Sequence, residues 1–172
     1  GKVAHEFILL TEVGEDTIAT CAETGYFANL EVATGIVAGY PETAKALEKV
    51  HTPGKKTIEE VAQFLGVETR QTAKAVFYEN DADGKPVIAI IRGDRDVNEM
   101  KLAKVLQTMP QPASEARIRA GGAEPGFGSP VGLDAAKWRI VVDRTIADSN
   151  NLVTGANEVD YHFRNFNLSR DL

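Results

Sequence analysis

The side chains able to do chemistry are few and far apart. Lys74 stands in the apolar run Ala73-Lys74-Ala75-Val76-Phe77, Asp143 closes the run Ile140-Val141-Val142, and His162 lies between Tyr161 and Phe163. Between the first two falls Gly121-Gly122-Ala123-Glu124-Pro125-Gly126-Phe127-Gly128-Ser129-Pro130-Val131-Gly132-Leu133, which holds five of the 15 glycines and two of the seven prolines. Glycine permits positive φ and close backbone approach to a ligand, while proline fixes its own φ and restrains the residue before it. Such a loop is sharply turned yet stiff, and its N–H groups are able to grip something small. The plainer reading is a surface connection between a helix and a strand. Each polar residue has a plain reading as well. Lys74 either snorkels to the surface or faces a cavity, Asp143 either caps the next turn or serves a site, and His162 is either a satisfied half-buried ring or a site residue. His5 and His51 have no company that suggests metal binding or general-base work.

Several chemistries are excluded. Ser129-Pro130 lacks the Gly-x-Ser-x-Gly elbow of an α/β-hydrolase, and no phosphate loop or dinucleotide fingerprint is present. Cys21 is the one cysteine, so no two-cysteine metal knuckle forms around Cys21–Tyr26. No metal or cofactor is expected. A lone cysteine rules out an internal disulfide and fits a cytosolic setting. Arg92-Gly93-Asp94 is too common a tripeptide to argue adhesion. No apolar run approaches the roughly 18 residues of a membrane span, and no signal peptide is recognisable. A start at Gly1 is expected of a processed or excised chain.

The elements that must position these residues follow from pattern. A length of 172 residues, 43% apolar and 26% charged, suits one globular domain with an appendage. The net charge of −6 is concentrated at the front: residues 1–36 carry Lys2 against six acidic groups, leaving the rest near neutral. No basic stripe marks an autonomous nucleic-acid binder. Strands are predicted at 5–10 and 17–21, forming a hairpin, with a short helix at 26–32. A connector runs over 34–56, with a helical patch near 42–49. Thr57-Ile58-Glu59-Glu60 is a capping box opening a helix with apolar Ile58, Val61, Ala62 and Leu65, ended by Gly66. A helical turn follows at 69–72. A core hairpin joins 73–79 to 86–91 through a turn at 80–85, and its second strand is apolar throughout, hence buried on both faces. Asp96 is predicted to cap the next helix, with Val97, Met100, Ala103 and Leu106 as its buried stripe. A short helix at 114–120 and a strand at 138–143 flank the glycine loop. The irregular alternation favours an α+β fold, with a central mixed, largely antiparallel sheet and helices packed around it.

The ordered set Thr52-Pro53-Gly54-Lys55, Thr57 to Val61, Arg92-Gly93-Asp94 with Asn98-Glu99 and Lys101-Leu102, Gly126 to Leu133, Asp143, Gly155-Ala156-Asn157 and Tyr161-His162 resembles the editing insertion of bacterial-type prolyl-tRNA synthetase. His5-Glu6-Phe7, Gly14-Glu15-Asp16 and Gly25 to Asn29, with Asn165, Asn167, Arg170 and Asp171, resemble the catalytic core on either side of that insertion. The domain reading is 1–36 as core flank, 37–51 as linker, 52–163 as editing domain and 164–172 as return segment. Members often carry a second cysteine near Thr24, from which this chain departs.

The resemblance implies a deacylase that hydrolyses alanyl-tRNA(Pro). Lys74, Gly126, Asp143 and His162 match its catalytic positions, and Phe127, Gly128, Ser129 and Pro130 its substrate-binding loop. Lys74 would hold the terminal adenosine's phosphate or backbone, the loop amides would position the ester carbonyl and stabilise the oxyanion, and Asp143 and His162 would orient the amino acid and shape the pocket. The implied partners are the acceptor end of the tRNA and the rest of a synthetase, itself a cytoplasmic homodimer. The chain alone is not expected to aminoacylate. Two alternatives stay open: a non-catalytic insertion that positions the acceptor stem, and a freestanding trans-editing deacylase.

Overall fold

The computed structural model describes residues 8–35, 38–79 and 81–172. These fall into two compact units, 1–35 and 36–172. In the first, β1 (Ile18–Cys21) pairs antiparallel with β2 (Tyr26–Asn29). This corrects one expectation. Residues 26–29 form a strand rather than a helix, because the turn at 22–25, with Gly25 at φ 67°, returns β-prone Tyr26 and Phe27 alongside β1. β1 therefore pairs with the segment that follows it. Of the expected strand at 5–10, residues 5–7 lie outside the described residues, and Ile8–Leu10 are exposed without regular structure.

The second unit carries two three-stranded sheets. One has the order β3 (Glu48–His51), β8 (Tyr161–Phe166), β7 (Leu152–Gly155), antiparallel throughout. The other has the order β4 (Ala73–Tyr78), β5 (Val87–Arg92), β6 (Arg139–Val142), with β5 and β6 parallel. A parallel bridge between Thr72 and Val153 joins the two where β4 meets β7. The expected helical patch at 42–49 is absent: the chain is irregular to Leu47 and then forms β3, since pairing of Val50 with His162 across β8 outweighs local propensity. Residues 48–51, assigned to a linker from sequence, thus belong to a sheet, and β8 runs through 163 into the expected return segment.

Central β5 separates two cores by simple alternation. Ile88 and Ile90 join Ala73, Phe77, Ile118, Trp138, Leu152 and Phe166 on one face, while Val87 and Ala89 meet Tyr78, Leu102 and Leu106 on the other. Helix α1 (Ile58–Leu65) has the capping box between Thr57 and Glu60 and ends on left-handed Gly66, as its sequence predicts. Helix α2 (Glu99–Leu106) is capped by Asn98, whose side chain accepts from the Lys101 N–H, and not by Asp96. Leu102 and Leu106 are buried while Met100 is exposed, so the expected stripe is only partly the buried face. Helix α3 (Glu115–Ala120) leads into the glycine loop, α4 (Arg144–Ala147) follows β6, and α5 (Leu168–Asp171) closes the chain. No helix among the described residues is long and apolar enough to cross a membrane.

Candidate active site

Around the junction of β4 and β7 lies a cavity of about 320 Å³. Its apolar lining includes Ala73, Ala75 and Phe77 of β4, Val153 and Gly155 of β7, Val61 of α1 and Ile118 of α3. Lys56 and Thr57 border it at the start of α1, Pro125, Gly126 and Gly128 cover it, and His162 of β8 and Lys74 of β4 complete the polar lining with Thr72 and Thr154. No serine, cysteine, aspartate or glutamate is among the lining residues.

The loop lies so close to the strands that glycine is required. A Cβ on Gly128 would stand 2.3 Å from Phe77 Cε2, and one on Gly155 only 2.1 Å from the Phe127 carbonyl oxygen. Gly126 sits at φ 83°, in the left-handed region. Trp138 holds the loop's start by donating from Nε1 to the Gly121 carbonyl at 2.9 Å. Asn157 holds its far side: Oδ1 accepts from the Ser129 N–H at 2.9 Å, while Nδ2 donates to the carbonyls of Ser129 and Val131 at 3.1 and 3.0 Å. Its backbone N–H also donates to the Phe127 carbonyl at 2.8 Å. Phe127 N–H is committed to the Glu124 carbonyl. Among the described residues, the N–H groups of Gly126 and Gly128 have no acceptor within the chain. Two fixed donors therefore border the cavity.

His162 is 5% exposed. Its Nδ1 lies 2.6 Å from Thr52 Oγ1, and its ring meets Phe127 edge-on at 5.7 Å between centroids. Burial pushes the imidazole down to about 4, so it is neutral at physiological pH. A ring so far from 7 suits a fixed hydrogen-bonding wall better than a general base. Lys74, 25% exposed, donates from Nζ to Asp96 Oδ1 at 2.9 Å. Asp96, displaced from the capping role, instead presents a carboxylate to this lysine. Lys56 Nζ lies 5.8 Å from the centre of the Phe127 ring. The polarity is thus divided: two lysines border a mostly apolar interior.

The structure brings together Lys74, Gly126, Gly128 and His162. Phe127, Ser129 and Pro130 do not line the cavity. Phe127 is 2% exposed and backs His162, and Ser129 and Pro130 are fully buried within the loop's own fastening. Asp143 is not at the cavity. It is exposed and caps α4, its Oδ1 accepting from the Thr145 N–H at 2.9 Å. The reason is topological: Asp143 ends β6, and β5 stands between β6 and β4. Sequence reasoning did not single out Lys56, Asp96, Thr154 or Asn157 for the site. A hydroxyl in the otherwise apolar Leu152-Val153-Thr154-Gly155, and an asparagine two residues past a strand end, were the available signals.

Residues 52–172 match the family described as the aminoacyl-tRNA editing domain. Proline–tRNA ligases are similar over nearly the whole chain: those of Dehalococcoides mccartyi strain 195 and Bacillus subtilis strain 168 are 44% and 41% identical, over 99% of this chain. The chain spans about 30% of the length of these curated relatives. Among solved structures, hypothetical protein APE2540 superposes with a TM-score of 0.62 at 20% identity, covering 71% of this chain and 81% of its own. A protein described as a candidate trans-editing enzyme for prolyl tRNA synthetase gives 0.61 at 20% identity, covering 69% and 74%. Both show the same α+β fold.

Proposed function

The chain belongs to the aminoacyl-tRNA editing domain family, and from that premise we propose that it hydrolyses alanyl-tRNA(Pro), freeing alanine wrongly joined to the tRNA for proline. The observation that carries this reading is the covered cavity between β4 and β7, walled by Ala73, Ala75 and the backbone of Gly126 and Gly128. A site built for proline cannot reject alanine strongly, since a missing methylene costs only about 1–3 kcal/mol. A second, narrower site corrects the error. The similarity to proline–tRNA ligases supports proline's tRNA as the substrate's carrier.

No serine, cysteine or carboxylate lines the cavity, and on this reading water attacks the ester carbonyl. The Gly126 and Gly128 N–H groups, free of partners among the described residues, receive the charge that develops on the carbonyl oxygen. The intermediate collapses by releasing the ribose oxygen, which takes a proton, leaving alanine and intact tRNA. The neighbouring ribose hydroxyl assists the water. Lys74 and Lys56 hold the terminal phosphate outside the apolar interior, and His162 shapes the amino-acid end. On this reading the chain is one part of a longer cytoplasmic synthetase, a homodimer whose other domains supply most of the tRNA affinity. The test is direct: the chain is mixed with alanyl-tRNA(Pro) and prolyl-tRNA(Pro), and free amino acid is followed. Alanine release with proline spared is expected; equal cleavage of both, or binding without release, refutes it.

A further inference from the structure

Every buried side-chain polar atom of the described residues has a partner within the chain except one, Thr154 Oγ1. Thr52 Oγ1 contacts His162 Nδ1, Thr72 Oγ1 donates to the Thr69 carbonyl at 2.7 Å, and Ser129 Oγ accepts from the Val131 N–H at 3.1 Å. Thr154 is 2% exposed, in a strand buried at all four positions. An unpaired buried hydroxyl destabilises the fold, a cost that valine of the same shape would avoid. The residue also lines the cavity, next in sequence to Gly155, which pairs with His162. His162 Nδ1 is occupied by Thr52, and no carboxylate lines the cavity. Thr154 Oγ1 therefore offers an incoming N–H donor a neutral acceptor beside the His162 ring.

We propose that the Thr154 hydroxyl accepts a hydrogen bond from the α-amino group of the bound aminoacyl ester, so that the site selects α-amino esters by this contact. The inference rests on the deacylase reading above. It makes Thr154 a specificity residue that touches substrate, and its energetic cost in the empty site is recovered when substrate is bound.

The test is a two-by-two comparison of chain and substrate. Alanyl-tRNA(Pro) and propionyl-tRNA(Pro), which lacks only the amine, are presented to the wild-type chain, Thr154→Val and Thr154→Ser. Single-turnover release is measured at neutral pH, and thermal melting is recorded for each protein. The wild type is expected to favour the alanyl ester. Thr154→Val is expected to lose about ten- to a hundredfold on that ester, the value of one hydrogen bond to a charged group, with little change on the propionyl ester. Its melting temperature should equal or exceed that of the wild type, and Thr154→Ser should keep the preference. Equal losses on both esters, or no loss on either, overturn the proposal. Should Thr154→Val not fold, Thr154→Ser and the wild type's own preference decide: a wild type indifferent to the amine overturns it. A wild type that cleaves neither ester overturns the deacylase reading as well, which separates the two failures.

Discussion

At the scale of single residues, the site divides into groups that carry charge and groups that must not. Lys74 is 25% exposed and paired with Asp96, whose side chain is almost wholly in solvent, so the pair adds little to folding. Replacing Lys74 by alanine should leave the melting temperature nearly unchanged. The same substitution should lower deacylation by about ten- to a hundredfold, the cost of one charge-assisted hydrogen bond to phosphate. Unaltered turnover would remove Lys74 from the site. His162 behaves oppositely. Its folded value of about 4 lies below its ordinary 6.5, so the unfolded chain takes up the proton first as pH falls. Stability should therefore decline from about pH 6.5 down to about 4 and level off below, without dependence on this ring above 6.5. Chemical unfolding at a series of pH values, with His162→Gln as reference, measures that difference. The pH profile of deacylation should lack an inflection between 6 and 7; a clear one there would return His162 to a general-base role.

At the scale of elements, the glycine loop is a fitted part rather than a flexible one. Gly128 has no room for a methyl group beside Phe77, whose ring is itself held edge-on to Trp138 at 5.4 Å. Gly128→Ala should cost about 1–3 kcal/mol through overpacking, read from denaturant unfolding. Asn157→Ala should cost a similar amount, about 1–3 kcal/mol, because the Ser129 N–H and two carbonyls lose their partner. Its larger effect should be on kcat, since the loop that presents the two amides is no longer fastened. A change confined to KM would argue against that. What the sequence made legible at this scale was whatever local rules determine: the box at Thr57, the stop at Gly66, the hairpin of β4 and β5, and the glycine loop itself. What it hid depends on pairing across the chain. The strand at Glu48–His51 exists because β8 lies beside it, and Asp143 is removed from the site because β5 stands between β6 and β4. Asp96 shows the same limit on a shorter range: a residue read as a cap became the partner of Lys74 when Asn98 took the cap.

At the scale of the molecule, charge and boundary both follow from where the site lies. The acidic surplus is in residues 1–36, and the remainder nets close to zero, so tRNA should bind the isolated chain weakly. With Lys56 and Lys74 as its two phosphate contacts, log affinity should fall with log salt at a slope of only about −1 to −2; a much steeper slope would mean a wider basic surface. All the described site residues, from Lys56 to His162, lie in the unit 36–172. The family match begins at residue 52, but the structure puts the physical boundary earlier. Val50 pairs with His162, and Lys49 with Phe163, so a chain starting at 52 would strip β8 of β3 and leave its edge open. Upstream, Tyr40 N–H donates to Ser149 Oγ at 2.9 Å, Asn150 N–H donates to the Tyr40 carbonyl at 2.7 Å, and Asn151 Oδ1 accepts from the Lys45 N–H at 2.9 Å, tying 40–45 to the approach of β7. Residues 36–172 should therefore melt cooperatively and retain deacylation. Residues 52–172 should lose both or aggregate, because the strand that carries His162 becomes an unprotected edge. Full activity in the shorter chain would show that β3 does not hold the histidine in place.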